Sequence, residues 1–325
     1  MPPKRPDAIA IVGATASGKT ATSLELAFLL GLHNDFAFPM EIISADSRQV
    51  YRHLTIGTAK PSPSDLSLVP HHFIDEKNPD ERFSAGDFGT EAALRLASVR
   101  ERGKFPVIVG GAGLYVQALT DGFFDEAAGV SNDADYEAAI ATERKHLEDE
   151  LAEYGIERLI EELQRLDPVS AQKYADRNPR RIIRALEYCR TAGKPFSEAH
   201  QTSHVERTFA TRFFGVHAQR EELYKRINAR AEAMFTDGLL EETSSVLAMG
   251  YAPTLNALNT VGYKESLAHL RGEISLARAI ELTQQNTRRY AKRQLTWFRR
   301  DTRIEWLSGA PEEIAHQIIT LMRGG

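Results

Sequence analysis

Residues 13–20, Gly-Ala-Thr-Ala-Ser-Gly-Lys-Thr, complete a G-x-x-x-x-G-K-[ST] loop. The apolar run Ala8-Ile9-Ala10-Ile11-Val12 leads straight into it. A helix-like stretch follows, with Leu24, Ala27 and Phe28 spaced on one face and Gly31 placed as a C-cap. Strand, glycine loop and helix in that order form a phosphate-binding unit of a parallel α/β sheet. Backbone amides of Gly13, Ala14, Thr15, Ala16, Ser17 and Gly18 can converge on phosphate oxygens, helped by the positive end of the helix. Lys19 would reach a terminal phosphate, and the Thr20 hydroxyl would hold Mg2+. The loop therefore predicts a P-loop NTPase-like core and a ligand carrying a diphosphate or polyphosphate.

The remaining chain fits that core in two pieces. Up to residue 124, short apolar runs alternate with helical stretches, including strands at Glu41–Ser44 and Phe105–Val109. Ser84-Ala85-Gly86-Asp87 reads as a capping box, which makes Asp87 a helix cap and not a catalytic acid. Residues 125–204 are charged and helically periodic, as in Leu151, Ile156, Leu159, Ile160 and Leu163. Asp167-Pro168 and Asn178-Pro179 mark helix starts within them. We read this segment as a helical insertion. Residues 205–325 return to strand at Thr211–Val216 and then complete the core with helices over Arg220–Met249 and Leu276–Phe298.

Several classes are excluded or disfavoured. A single cysteine, Cys189, permits no disulfide framework and no zinc ribbon. No apolar run is long enough for a membrane helix, and the N-terminus lacks the apolar core of a signal peptide, so a cytoplasmic protein is expected. The pair His71-His72 would point to opposite faces of an extended chain, which makes a shared metal a poor reading. Net charge is −5, yet Arg288, Arg289, Lys292, Arg293, Arg299, Arg300 and Arg303 crowd one C-terminal segment. Arg289, Lys292 and Arg293 share a helical face there, interleaved with Tyr290, Trp297 and Phe298, a pattern suited to nucleic acid.

Ligands of parallel α/β sheets collect at the C-terminal strand ends. Asp46 lies at such an end, one strand away from the phosphate loop, where a carboxylate can take a proton from an attacking O–H or N–H or serve as a turn former. Gly110-Gly111-Ala112-Gly113 follows another strand and permits close approach to a ligand. These features leave two classes open. One is a small-molecule kinase; the other is a group transferase acting on a nucleic acid.

Longer motifs resemble one family throughout residues 8–300. Gly13–Thr20, Ile43–Arg52, Ile56–Pro61, His71–Asp75, Gly110–Tyr115, Arg180–Glu187, Val261–Glu265 and Thr287–Phe298 follow the pattern of bacterial tRNA dimethylallyltransferases. The resemblance implies transfer of a dimethylallyl group from dimethylallyl diphosphate to the exocyclic N6 of the adenosine beside the tRNA anticodon. It implies Asp46 as the proton acceptor, with Lys19, Arg230, the loop amides and Thr20–Mg2+ holding the departing diphosphate. It further implies tRNA contacts from Asp46, Ser47, Arg48 and Gln49, from Arg180, Arg181, Ile182, Ile183 and Arg184, and from Asn259, Thr260, Val261, Gly262, Tyr263 and Lys264. The insertion would close over the anticodon stem-loop, and a monomer is expected. A prenyltransferase of free adenine nucleotides shares the phosphate-loop layout and is the nearer alternative to the kinase.

The chain departs from the family pattern at a few positions. Ala14 replaces a proline, Asn178 an aspartate, and Ala112 a threonine whose hydroxyl would be expected at the reacting diphosphate. Ala112 is accordingly placed with the diphosphate-binding residues, as a lost donor. Around Glu137 an arginine of the family is missing.

Overall fold

Burial on both faces dictates the centre of the molecule. In β1 (Ala8–Val12) all five residues are buried, and alternate side chains feed two separate apolar clusters. Ala8, Ala10 and Val12 join Ile43, Phe88 and Ile108 on one face, while Ile9 and Ile11 join Leu26, Ile42 and Ile318 on the other. The computed structural model describes residues 6–32, 39–122, 134–198 and 209–324. Around β1 lie β2 (Met40–Ser44), β3 (His71–His72), β4 (Phe105–Gly110), β5 (Thr211–Val216) and β6 (Ile304–Leu307). All pair in parallel, in the order β3-β2-β4-β1-β5-β6. The fold is α/β with a P-loop NTPase-like core.

The chain divides into two compact units, Met1–Thr120 with Arg207–Gly325, and Asp121–Glu206. The expected segment boundaries near 124 and 204 lie outside the described residues, as does the side chain of Glu137. In the first unit, α1 (Lys19–Leu32) carries the phosphate loop, α2 (Pro63–Leu68) precedes β3, α3 (Ala85–Glu101) opens with the capping box of Ser84 and Asp87, and α4 (Gly113–Thr120) follows β4. The second unit holds α5 (Ala134–Tyr154), α6 (Ile156–Leu166), α7 (Pro168–Lys173) and α8 (Pro179–Ala192). Leu147, Leu159, Leu163, Ile182 and Leu186 give it a core of its own. Two ion networks tie these helices together. Arg144 and Arg184 both reach the fully buried Glu187, and Arg190 reaches Glu143, Glu150 and Glu162.

Several sequence readings need correction. Phe28 is exposed, and α1 instead buries Leu26, Leu29 and Leu30 against Ile314, Ala315 and Ile318 of a C-terminal helix, Pro311–Gly324. Gly31 lies inside α1 and caps nothing, because the helix runs on to Leu32. The Leu151–Leu163 periodicity spans two helices broken at Gly155, whose φ of 78° ends one and begins the next. Gly238, at φ 105°, likewise splits the 220–249 stretch into Arg220–Thr236 and Leu239–Ala248. The helix Leu276–Phe298 has the predicted bounds.

Candidate active site

The loop between β1 and α1 is shaped by three unusual backbone positions. Gly13, Ala16 and Gly18 have φ values of 150°, 60° and 107°. The first and last are open to glycine without strain, whereas Ala16 adopts a conformation uncommon for a side-chain-bearing residue. A Cβ on Gly13 would press on the Val216 carbonyl at the end of β5. The Ser17 amide closes the turn onto the Ala14 carbonyl, and Lys19 Nζ donates to the same oxygen at 2.6 Å. Burial lowers the Lys19 pKa to about 8; the nearby Asp46 carboxylate opposes that shift, and the Arg230 guanidinium adds to it.

Thr15, Lys19, Thr20, Asp46, Arg230 and Gln294 line one cavity of about 490 Å³. Arg230 extends from Arg220–Thr236 with no carboxylate partner among the described residues, a free cation facing the same space as Lys19. Asp46 follows β2, and β4 lies between β2 and β1, so it stands two sheet positions from the loop and not beside it. Its Oδ1 accepts the Arg48 and Gln49 amides at 2.9 and 3.3 Å, a turn that fixes the carboxylate. Oδ2 accepts no hydrogen bond from the described residues. Asp46 is thus a turn former through one oxygen and available for proton transfer through the other.

The opposite wall of this cavity is Thr58–Pro61, which sequence reasoning did not single out as a site. Gln49 Nε2 donates to the Thr58 and Ala59 carbonyls, while the Glu242 carboxylate gathers the Thr55, Ile56 and Gly57 amides and the Tyr263 hydroxyl. His71 also lines this end, with Nδ1 on the Val69 carbonyl and burial holding its pKa below the usual value. His72 instead bonds Glu41 and Arg95. The two rings thus turn to different partners, as expected of neighbours on an extended chain.

A second cavity of about 370 Å³ adjoins the first, sharing Gly111, Tyr290 and Gln294 with it. Arg48, Ala112, Tyr115, Arg293 and Trp297 are among its other walls. Ala112 therefore faces this space and is absent from the lining of the phosphate cavity. The glycines around it serve the protein's own packing: side chains on Gly110, Gly111 and Gly113 would collide with Ala45, Gln294 and Trp297. Burial and the Asp46 carboxylate push the Tyr290 pKa up to about 12, so its phenol stays protonated between the two cavities.

The IPP transferase family model matches residues 49–301. The chain is 43% identical over 303 residues to a tRNA dimethylallyltransferase of Syntrophobacter fumaroxidans, covering 93% of this chain and 83% of that one. This chain belongs to the IPP transferase family. A Geobacter metallireducens tRNA dimethylallyltransferase is 41% identical, covering 92% and 91% of the two chains. The crystal structure of a Staphylococcus epidermidis tRNA isopentenylpyrophosphate transferase superposes with a TM-score of 0.66 at 34% identity, covering 97% and 98%. A eukaryotic dimethylallyltransferase acting on tRNA gives 0.75 at 26% identity, covering 93% and 74%.

The structure sorts the tRNA contacts that the family pattern implied. Ser47 and Arg48 line the second cavity, and Arg289, Lys292 and Arg293 are exposed on the basic helix. Phe298, grouped with them by sequence, is buried in the core. Arg180 and Arg181 are exposed at the start of α8, Arg181 paired with Asp176. Ile182 and Ile183 are buried in the core of their own unit, and Arg184 is bound to Glu187, so helix packing claims those side chains. Asn259 and Lys264 are exposed, with Thr260 and Val261 partly so. Gly262 is buried, and Tyr263 is fully buried with its hydroxyl on Glu242. A buried side chain cannot reach a polynucleotide, so Ile182, Ile183 and Tyr263 offer no side-chain contact.

Proposed function

We propose that this chain is a tRNA dimethylallyltransferase that moves the dimethylallyl group of dimethylallyl diphosphate onto N6 of the adenosine beside the anticodon. The observation that carries this reading is the pair of joined cavities. One is cationic and built on the phosphate loop; the other is partly aromatic and opens beside exposed Arg293 and Trp297 on the basic helix. A phosphate donor and a flipped base have complementary places there. A kinase would also need an acceptor site, but a small acceptor has no use for the exposed basic helix that borders the second cavity. Because both cavities are lined by one unit of one chain, a monomer suffices.

The N6 amine is a weak nucleophile, its lone pair being delocalised into the purine ring. Asp46, fixed through Oδ1, would take the N6 proton as nitrogen attacks the allylic carbon and the carbon–oxygen bond to diphosphate breaks. Lys19, Arg230 and the loop amides would hold the charge that develops on the leaving oxygen. The donor set suits Mg2+, which keeps several waters and substrate oxygens and asks few protein ligands; Thr20 would supply one. Bound there, the ion would neutralise diphosphate charge. No described helix is long and apolar enough to cross a membrane.

Incubation with dimethylallyl diphosphate, Mg2+ and bulk tRNA, followed by nucleoside analysis, should yield N6-isopentenyladenosine. Prenylation of AMP but not tRNA would favour the free-nucleotide reading. ATP consumption with a small acceptor would favour the kinase.

A further inference from the structure

Gln294 is seven per cent exposed and sits on the wall common to both cavities. Its Oε1 accepts the Thr15 amide at 2.8 Å, and its Nε2 donates to the Gly111 carbonyl at 2.8 Å. Gln294 thereby spans three elements: the phosphate loop, the turn after β4, and the helix Leu276–Phe298. Gly111 is a glycine at a cost in chain entropy, and the reason is visible, since a Cβ there would collide with the Gln294 amide. The surrounding packing has the same sense. Ala291 and Leu295 of this helix pack with Ala14 and Ala16 of the loop. Arg293, next to Gln294 in sequence, and Trp297, one turn on, line the second cavity with it.

We propose that Gln294 is a positioning residue that couples the two halves of the site. RNA engaging Arg293 and Trp297 fixes the helix, and Gln294 transmits that fixation to the phosphate loop through the Thr15 amide. Acceptor binding then tightens the grip on the diphosphate. Both hydrogen bonds are well formed, one buried and the other partly so, and a displacement of the helix by a fraction of an ångström weakens them directly. The coupling is reciprocal, since each ligand must change the other's affinity by the same factor. This inference rests on the tRNA reading above.

The test uses Mg2+ with inorganic diphosphate as the donor-site probe and a synthetic anticodon stem-loop as the acceptor. Diphosphate affinity is measured by calorimetry with and without the stem-loop, in the wild type, Gln294→Met and Gln294→Glu. Methionine keeps the volume and removes both hydrogen bonds. Glutamate keeps the acceptor for Thr15 and loses the donor to Gly111. In the wild type the stem-loop should tighten diphosphate by about fivefold or more. In Gln294→Met that factor should fall towards one, with stem-loop affinity within about twofold of wild type, since Arg289, Lys292, Arg293 and Trp297 are untouched. Gln294→Glu should retain part of it. Equal factors in wild type and Gln294→Met, or none in the wild type, overturn the coupling and leave the proposed function standing. A wild type that does not bind the stem-loop at all overturns both.

Discussion

Asp46 carries two duties on one carboxylate, and a single substitution separates them. In Asp46→Asn the remaining oxygen still accepts the Arg48 and Gln49 amides, so the turn persists while the proton acceptor is lost. We expect kcat to fall by about 10²–10⁴ with little change in KM for dimethylallyl diphosphate. A proportionate rise in KM would instead mark Asp46 as a turn former. Lys19 supplies a second residue-scale forecast. Its pKa is depressed to about 8, so its charge is complete below that pH and lost as pH rises through it. The free enzyme's kcat/KM for the donor should fall along the same limb. Asp46 raises this pKa and Arg230 lowers it. Asp46→Asn should therefore move the limb to lower pH and Arg230→Met to higher pH, whatever they do to the plateau. Ala112 is a different kind of residue, because it faces the second cavity and leaves space where the family carries a hydroxyl. Since Ala112 is absent from the phosphate cavity, Ala112→Thr should leave kcat within about threefold of wild type; a rise of about 10²-fold would show instead that a hydroxyl at this position reaches the leaving oxygen.

The helix Leu276–Phe298 has two faces with separate tasks, and its charges can be removed without touching its buried side. Lys292 and Arg293 are exposed, whereas Ala291, Gln294 and Phe298 are buried. Replacing both cations by alanine should weaken tRNA binding and reduce its salt slope by about one per lost phosphate contact, with the affinity for Mg2+–diphosphate in the absence of tRNA nearly unchanged. An unaltered slope would place the RNA elsewhere. The faces of this helix were legible in the sequence because helical spacing and one-signed charge coincide over Arg288–Arg293. The same logic held only in part for α1, where Leu24 and Ala27 pack at the edge of the core but Phe28, equally well spaced, is exposed. The reason is tertiary: the partner that selects the buried face is Pro311–Gly324, nearly 300 residues away, and periodicity cannot reveal it. The breaks at Gly155 and Gly238 were hidden differently, since apolar spacing continues across both and only the backbone reverses. At the site, the loop and Asp46 were readable because local motif and strand end coincide. Gln294 and the Glu242 clamp were not, because their meaning lies in hydrogen bonds to Thr15 and to Thr55–Gly57, whose partners are far away in sequence.

On the scale of the whole molecule, the strand order has a consequence for stability. β5 pairs directly with β1, so the sheet closes whether or not a long segment intervenes between residues 120 and 207. Each unit has its own apolar core, and the Glu187 and Arg190 networks are satisfied wholly within the smaller one. Both tryptophans, Trp297 and Trp306, belong to the larger unit. Tryptophan fluorescence therefore reports the unfolding of that unit alone, while far-ultraviolet circular dichroism reports the helices of both. In a urea titration the two signals should give different midpoints, the signature of units that unfold separately. Mg2+ with diphosphate offers a sharper version. A ligand held by the phosphate loop stabilises only the state that contains the loop, by about 2.7 kcal/mol at a hundredfold excess over its dissociation constant. It should shift the fluorescence transition to higher urea and leave the other component of the dichroism in place. Coincident transitions that move together would show instead that the two cores fold as one cooperative body.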